Sequence, residues 1–585
     1  MKEIKSMIAG RILDGIAAVC PDNVPDAATV EGWLEYPPDP AMGDIAFPCF
    51  RLSKTMHRAP VQIAQLLSEG LNDGSCACIA RAENVNGYLN IRLSDAYLLS
   101  HVLGEIEQKG EKYGAPDLGR GKTVVLDYSS PNVAKPFHIG HLGTTVIGHS
   151  LKKLHEFAGY HCIGINYLGD WGTQFGKLIV AYRLWGSREM VEEGGIDKLV
   201  ELYVRINNAI SGDEVKGIAP DPALAERARE EFHKLETGDE ENLELWRWFV
   251  KISLTEYEKT YRQLGITFDS YKGESFYTDK MPAQVQKLRD MGLLKISDGA
   301  SIVDLEPYGM PPCLILKRDG STLYPTRDIA AAVYRKEHYH FDKAIYVTSA
   351  AQSLHFAQWF KVVELMGYDW YDELVHVPYG TVSLNGAKLA TRTGNVVLLR
   401  DLFGAAIEKV RAIMREKNPD LPNMDEAAEA VGVGAVVFYY LSNNRLKDIN
   451  FVMEDALSYD GNTGPYVQYT YARTCSLLRR AGDEAGTTAT ASDGKDCMPQ
   501  ESALLKTLCR FGECVESALR NYEPSEVTRY ILDVATAFNR FYHDCPILSA
   551  EDADVRARRI RLTAATRTVL GNAFDLICLR KIEQI

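Results

Sequence analysis

Thr123-Val124-Val125-Leu126-Asp127-Tyr128-Ser129-Ser130-Pro131-Asn132-Val133-Ala134-Lys135-Pro136-Phe137-His138-Ile139-Gly140-His141-Leu142 decides the fold. Its first residues, Val124-Val125-Leu126, form an apolar run that reads as a buried strand. A polar turn, Ser129-Ser130-Pro131-Asn132, follows. The pattern then becomes helical over about 139–157, with Ile139, Leu142, Val146 and Phe157 on one side and Gly159 as its C-cap. A second strand is expected at 162–167, Cys-Ile-Gly-Ile-Asn-Tyr. Strand, helix, strand is the signature of a parallel sheet. Ala344-Ile345-Tyr346-Val347 repeats it, followed by Phe356, Trp359, Phe360 and Val363 at helical spacing.

The rest of the chain is arranged around these two units. Residues 1–115 read as a small α+β domain, with apolar residues alternating along Gly87-Tyr88-Leu89-Asn90-Ile91-Arg92-Leu93. A Rossmann-type domain is expected over 120–400, with a helical insertion at about 181–294. Residues 401–585 read as an all-helical bundle, interrupted by a loop rich in Gly, Ala, Ser, Thr and Asp at 481–500. The fold class is thus multidomain α/β. Of the 585 residues, 46% are hydrophobic and 25% charged, which excludes a disordered or collagen-like chain. No apolar run reaches a membrane span, and the first twenty residues show no secretory signal. The twelve cysteines include no CxxC pair, so neither a zinc ribbon nor a disulfide framework is expected and no metal site is assigned. The expectation is a reduced cytoplasmic protein.

Two stretches carry chemistry. His138-Ile139-Gly140-His141 opens a helix, where free N–H groups and the helix dipole favour phosphate. Gly140 leaves the backbone open to a nucleotide, and the two imidazoles share one face of the first turn. Alone, the motif equally fits two histidines capping a helix. The second stretch, Leu384-Asn385-Gly386-Ala387-Lys388-Leu389-Ala390-Thr391-Arg392-Thr393-Gly394, is a glycine-bracketed loop with two cations. Such a loop can close over a triphosphate, although a solvated basic loop reads the same way.

Taken in this order, and with Gly169-Asp170-Trp171-Gly172-Thr173-Gln174-Phe175-Gly176, Thr326-Arg327-Asp328 and Asn462-Thr463-Gly464-Pro465-Tyr466-Val467-Gln468-Tyr469, the two stretches resemble the arginyl-tRNA synthetases, class I aminoacyl-tRNA synthetases. The resemblance implies an ATP-dependent ligase that forms arginyl-adenylate and transfers arginine to the terminal ribose 2′-hydroxyl of tRNA-Arg. It implies roles for His138, His141, Lys388, Arg392 and Lys135 around the ATP phosphates, with Gly140 against the nucleotide and Mg2+ bound with it. Arginine would be held by Asp127, Ser130, Asn132, Tyr324, Asp328 and Gln352, with Asp127 and Asp328 on the guanidinium and Tyr324 as a wall beside it. The family often has Glu where Asp127 stands, and Met and Ser where Leu389 and Ala390 stand. The resemblance further implies a monomer that needs bound tRNA before it activates arginine.

For tRNA, Tyr466, Tyr469 and Arg473 fall on one helix face and resemble the family's anticodon-binding surface. Tyr88 and Asn90 lie on the strand that in this family touches the tRNA elbow. The net charge of −14 argues against nucleic acid, but it is unevenly spread. Residues 221–244 hold nine acids against three Lys or Arg, whereas 555–567 hold five arginines and no acid. The second run is expected to grip phosphates, on a basic face continuous with the catalytic mouth and turned away from the acidic insertion. Two alternatives remain at the level of sequence: another HIGH-type enzyme, and a catalytically dead relative that binds tRNA.

Overall fold

The structure is a computed structural model that describes residues 1–212, 219–384, 397–482, 484 and 497–585, together with the backbone of 387–388. Its centre is a four-stranded sheet. We label the strands β1 (Thr123–Asp127), β2 (His161–Ile165), β3 (Lys343–Ser349) and β4 (Leu374–Tyr379), and the helices α1 (Leu142–Phe157), α2 (Tyr324–Tyr339) and α3 (Ser353–Leu365). The order is β4-β3-β1-β2, and every pair is parallel. β1 is buried along nearly its whole length, as a strand covered on both faces must be. From β1 the chain winds one way through α1 to β2, and from β3 it winds the other way through α3 to β4. The crevice at such a switch point, beyond the carboxyl ends of the strands, is where open α/β sheets bind ligands. Here Asp127 pairs in register with Tyr346 at that edge.

α1 is buried on almost every side, with the sheet beneath it and C-terminal helices above. Gly148 is required there, because a Cβ would lie 2.2 Å from that of Tyr128. On the opposite face Ser150 Oγ donates to the Leu576 carbonyl at 2.6 Å. α1 is therefore clamped between two layers.

The insertion is helical, as expected, over Arg188–Ser211, Pro222–Glu236 and Glu240–Leu264. It then ends differently. An antiparallel sheet, Leu294–Ser297, Ala300–Val303 and Cys313–Leu316, precedes α2, and neither this sheet nor β4 was predicted from the sequence. The N-terminal part has three antiparallel strands, Ile45–Pro48, Ile79–Val85 and Tyr88–Leu93; the last two pack on helix Pro60–Leu71, which in turn packs on Lys2–Ala17. Lys506 to Asp44 at 2.9 Å and Ser502 to Asp95 tie it to the C-terminal helices.

Those helices hold a finding against expectation. Of the five arginines in 555–567, Arg558 and Arg559 are buried on the fully buried Glu501, at 3.0 and 3.2 Å. Arg556 reaches Glu484 and Arg561 reaches Glu107, at 2.9 and 2.8 Å. The run mainly holds the bundle together and does not present five free cations to phosphate. Glu501→Ala should lower stability by about 3–5 kcal/mol, because it removes the carboxylate that two buried guanidinia share; the midpoint of urea unfolding followed by circular dichroism measures this. Among the described residues no helix is long and apolar enough to cross a membrane.

Candidate active site

The turn after β1 is strained and heavily braced. Ser129, Ser130 and Ala134 have φ of 70°, 47° and 57°, a region that side chains other than glycine's rarely occupy. Hydroxyls offset the strain. Thr144 accepts from the Ser129 N–H at 3.0 Å, and Ser253 accepts from the Ala134 N–H at 3.0 Å. Tyr257 donates to the carbonyls of Asn132 and Lys135, at 2.8 and 2.7 Å. Tyr261 meets Ser129 Oγ at 2.7 Å. Three of these braces come from helix Glu240–Leu264 of the insertion. The insertion thus shapes the active-site turn, a role its sequence pattern does not reveal.

His138 caps the helical turn that leads into α1. Its Nδ1 accepts from the Gly140 N–H at 3.1 Å, and His141 Nδ1 accepts from the His138 N–H at 3.2 Å. Both protons of the neutral rings are therefore on Nε2, which is left to donate. Burial, together with Lys135, pushes the His138 pKa down. Burial and the neighbouring His138 lower that of His141 to about 3. At neutral pH both rings are uncharged donors, so positive charge against phosphate must come from elsewhere.

The chain just after the second basic stretch returns to this point. Ile139 N–H donates to the Val397 carbonyl at 3.1 Å, and Leu399 N–H to that of Phe137 at 2.9 Å. The loop's exit is thus stitched to the histidine turn. Strand Ala387–Lys388 pairs Lys388 with Ser383, while Arg392 lies outside the described residues.

Between β1, β3 and α2 opens a cleft of about 540 Å³. Asp127, Ser130, Asn132, His141, Tyr324, Asp328 and Gln352, from three stretches of the sequence (127–141, 324–328 and 352), all line it. Tyr324 stands at the mouth, 67% exposed. Asp328 Oδ2 lies 2.6 Å from His355 Nε2. Lys135 is not brought here; it is half-buried behind the turn, facing Gln174 and Tyr203, and burial pushes its pKa down.

Two features differ from the sequence reading. Asp127 already has a guanidinium of its own: Arg335 Nη1 is 2.8 Å from Oδ2, and Ser130 Oγ donates to Oδ1 at 2.9 Å. The cleft also holds a carboxylate the sequence reading passed over. Glu274, paired with Arg327, faces the cleft beside Asp328. Burial raises its pKa to about 7, against the pull of Arg327 and with a further push from Asp328 and Asp170.

On the C-terminal helices Tyr466, Tyr469 and Arg473 share one cavity of about 680 Å³ with Lys417 and Tyr459. The Arg473 guanidinium lies between the rings of Tyr469 and Tyr542, at 5.0 and 4.7 Å. Tyr466 accepts from Asn539 at 3.0 Å. In the N-terminal part Tyr88 meets the half-exposed Phe50 edge-on. Asn90, two positions along the same strand, is 5% exposed and packs against the Gly43 turn.

A parallel sheet with a histidine-capped helical turn at its switch point is the catalytic architecture of a class I tRNA synthetase. The description "tRNA synthetases class I (R), catalytic domain" matches residues 102–453. "Arginyl tRNA synthetase N terminal domain" matches 2–93, and "DALR anticodon binding domain" matches 467–585. The arginine–tRNA ligase of Clostridioides difficile is 48% identical over 557 residues, covering 95% of this chain and 96% of that protein. That of Clostridium botulinum (strain Okra / Type B1) is 46% identical over 583 residues, the full length of both. The structure of Thermus thermophilus arginyl-tRNA synthetase matches with a TM-score of 0.80 at 25% identity, covering 98% of this chain and 99% of that one. The chain belongs to the arginyl-tRNA synthetase family, and so is an aminoacyl-tRNA synthetase, a ligase.

Proposed function

We propose that the chain joins L-arginine to tRNA-Arg in two steps within this cleft. The observation that carries the reading is the meeting of Asp328 and Glu274 in one cleft whose wall is His141 of the α1 turn. A guanidinium is a fixed planar cation, and carboxylates hold it by paired charged hydrogen bonds. Asp328 and Glu274 take it, with Tyr324 against its plane. Asp127, Ser130, Asn132 and Gln352 hold the remaining polar groups of the amino acid. The arginine carboxylate then attacks the α-phosphate of ATP, and pyrophosphate leaves. The ribose 2′-hydroxyl of tRNA next attacks the activated carbonyl, and AMP leaves. The protein supplies placement and electrostatics: Nε2–H of His138 and His141 toward the phosphates, Gly140 open to the nucleotide, and cations from Lys388 and Arg392.

Bound to the nucleotide, Mg2+ would neutralise phosphate charge. Tyr466, Tyr469 and Arg473 would stack on anticodon-loop bases, and Tyr88 would meet the tRNA elbow. We further propose a cytoplasmic monomer with units at 1–115, 120–400 and 401–585.

Charging assays with radiolabelled arginine test the reading: arginine should be joined to tRNA, whereas lysine and citrulline should not, because each leaves buried polar groups unpaired. Glu274 adds a pH dependence. Its carboxyl is ionised only above about 7, so the KM for arginine should rise as pH falls through that value. Glu274→Gln should raise the KM throughout and remove that dependence.

A further inference from the structure

α2 runs into the cleft as a stripe. Tyr324, Asp328, Ala331 and Arg335 all line it, from the exposed mouth down to the floor. Arg335 is the deepest, 1% exposed, beneath Asp127. The rings of Tyr167, Tyr277 and Tyr346 surround its guanidinium at 5.0, 5.9 and 5.7 Å. Asp127 is the carboxylate that faces it, and it holds one oxygen while Ser130 holds the other. A carboxylate has about two acceptor positions per oxygen. With one used on each, the plane of Asp127 is fixed at the wall of the cleft.

We propose that Arg335 is a positioning residue for arginine recognition, its guanidinium fixing the orientation of Asp127 and favouring its charged form, so that the substrate meets a pre-aimed carboxylate. The proposal rests on the cleft being the arginine site. Burial pushes the Asp127 pKa up and the nearby Asp328 pushes it further, while Arg335 and the Ser130 hydroxyl pull it back down. The fixed charge of Arg335 also closes the floor to a second guanidinium, leaving the substrate's own to Asp328 and Glu274. The alternative is a strut that merely ties α2 to β1.

The test is the pH profile of kcat/KM for arginine in tRNA charging, measured for the wild type, Arg335→Gln and Arg335→Lys at saturating ATP and tRNA. Groups that titrate or carry charge around Asp127 are Arg335, Asp328 with its partner His355, Glu274 with Arg327, and the three tyrosines. Every other group around the pair is the same in all three proteins, so the ratio of variant to wild type isolates Asp127. For Arg335→Gln that ratio should fall by about tenfold per pH unit toward acid, one extra proton's worth, with kcat at saturating arginine changed less than about threefold. For Arg335→Lys, which keeps the charge but loses the fork, the ratio should be flat and the KM about tenfold raised. A flat ratio in Arg335→Gln shows a strut and overturns the proposal. If Arg335→Gln does not fold, Arg335→Lys decides alone, and a KM equal to the wild type's overturns it. Failure of the wild type to charge tRNA with arginine would sink the proposed function itself; an active wild type with a flat ratio sinks only the role of Arg335.

Discussion

Asp328→Ala should raise the KM for arginine roughly 10²–10³-fold, with kcat at saturating arginine and the KM for ATP held within about threefold. The reason is local. The carboxylate lines the cleft one helical turn below Tyr324 and is held in place by His355 Nε2 at 2.6 Å. Removing one member of a desolvated charge pair costs about 3–5 kcal/mol, and each 1.4 kcal/mol is about tenfold. His355 keeps its ring and shape, so the loss falls on arginine. Steady-state charging kinetics over a wide arginine range measure it. An unchanged KM would remove Asp328 from the guanidinium site, and an equal loss in the KM for ATP would point to collapse of the cleft.

His141→Ala should act on the other axis. The ring donates from Nε2, since Nδ1 is taken by the His138 N–H, and stacks on Phe137 at 5.1 Å. A preorganised donor aimed at developing charge is worth roughly 10²–10³ in rate, about 2.7–4 kcal/mol. Adenylate formation should slow by that factor, while the KM for arginine stays near the wild type's. Because the ring is neutral, with a pKa near 3, the wild-type rate should show no limb from His141 between about pH 6 and 8. Single-turnover release of pyrophosphate separates this effect from binding. A rise in the KM for arginine as large as the fall in rate would make His141 a binding group.

The sequence revealed most about local structure. The run from Thr123 to Leu142 announced strand, turn and helix through hydrophobic period and turn residues, and all three are present. Tyr324 and Asp328 were placed on one helix face by their spacing, and α2 bears this out. What stayed hidden depends on distant partners. Glu274 is a single acid in a short polar turn, and nothing near it in sequence marks it; its position is set by the bond of its N–H to the Leu168 carbonyl at 2.9 Å and by Arg327. Asp127 was read as open to a substrate because Arg335 lies across the sheet-helix boundary. The arginines of 555–567 looked free because Glu501, Glu484 and Glu107 are remote in the chain. β4 escaped notice because Leu-Val-His-Val-Pro-Tyr mixes a histidine and a proline into an edge strand, where the missing proline N–H is tolerated. Net charge misled for a related reason, since it averages acids and cations that the fold places against one another.

The central claim is that one cleft selects arginine and presents its carboxylate to ATP. Arginine-dependent exchange of pyrophosphate into ATP, measured with and without tRNA, tests it most directly. The account predicts exchange with arginine when tRNA is present, and none with lysine or citrulline. Folded protein that shows no exchange under either condition, or that exchanges with a different amino acid, would contradict it.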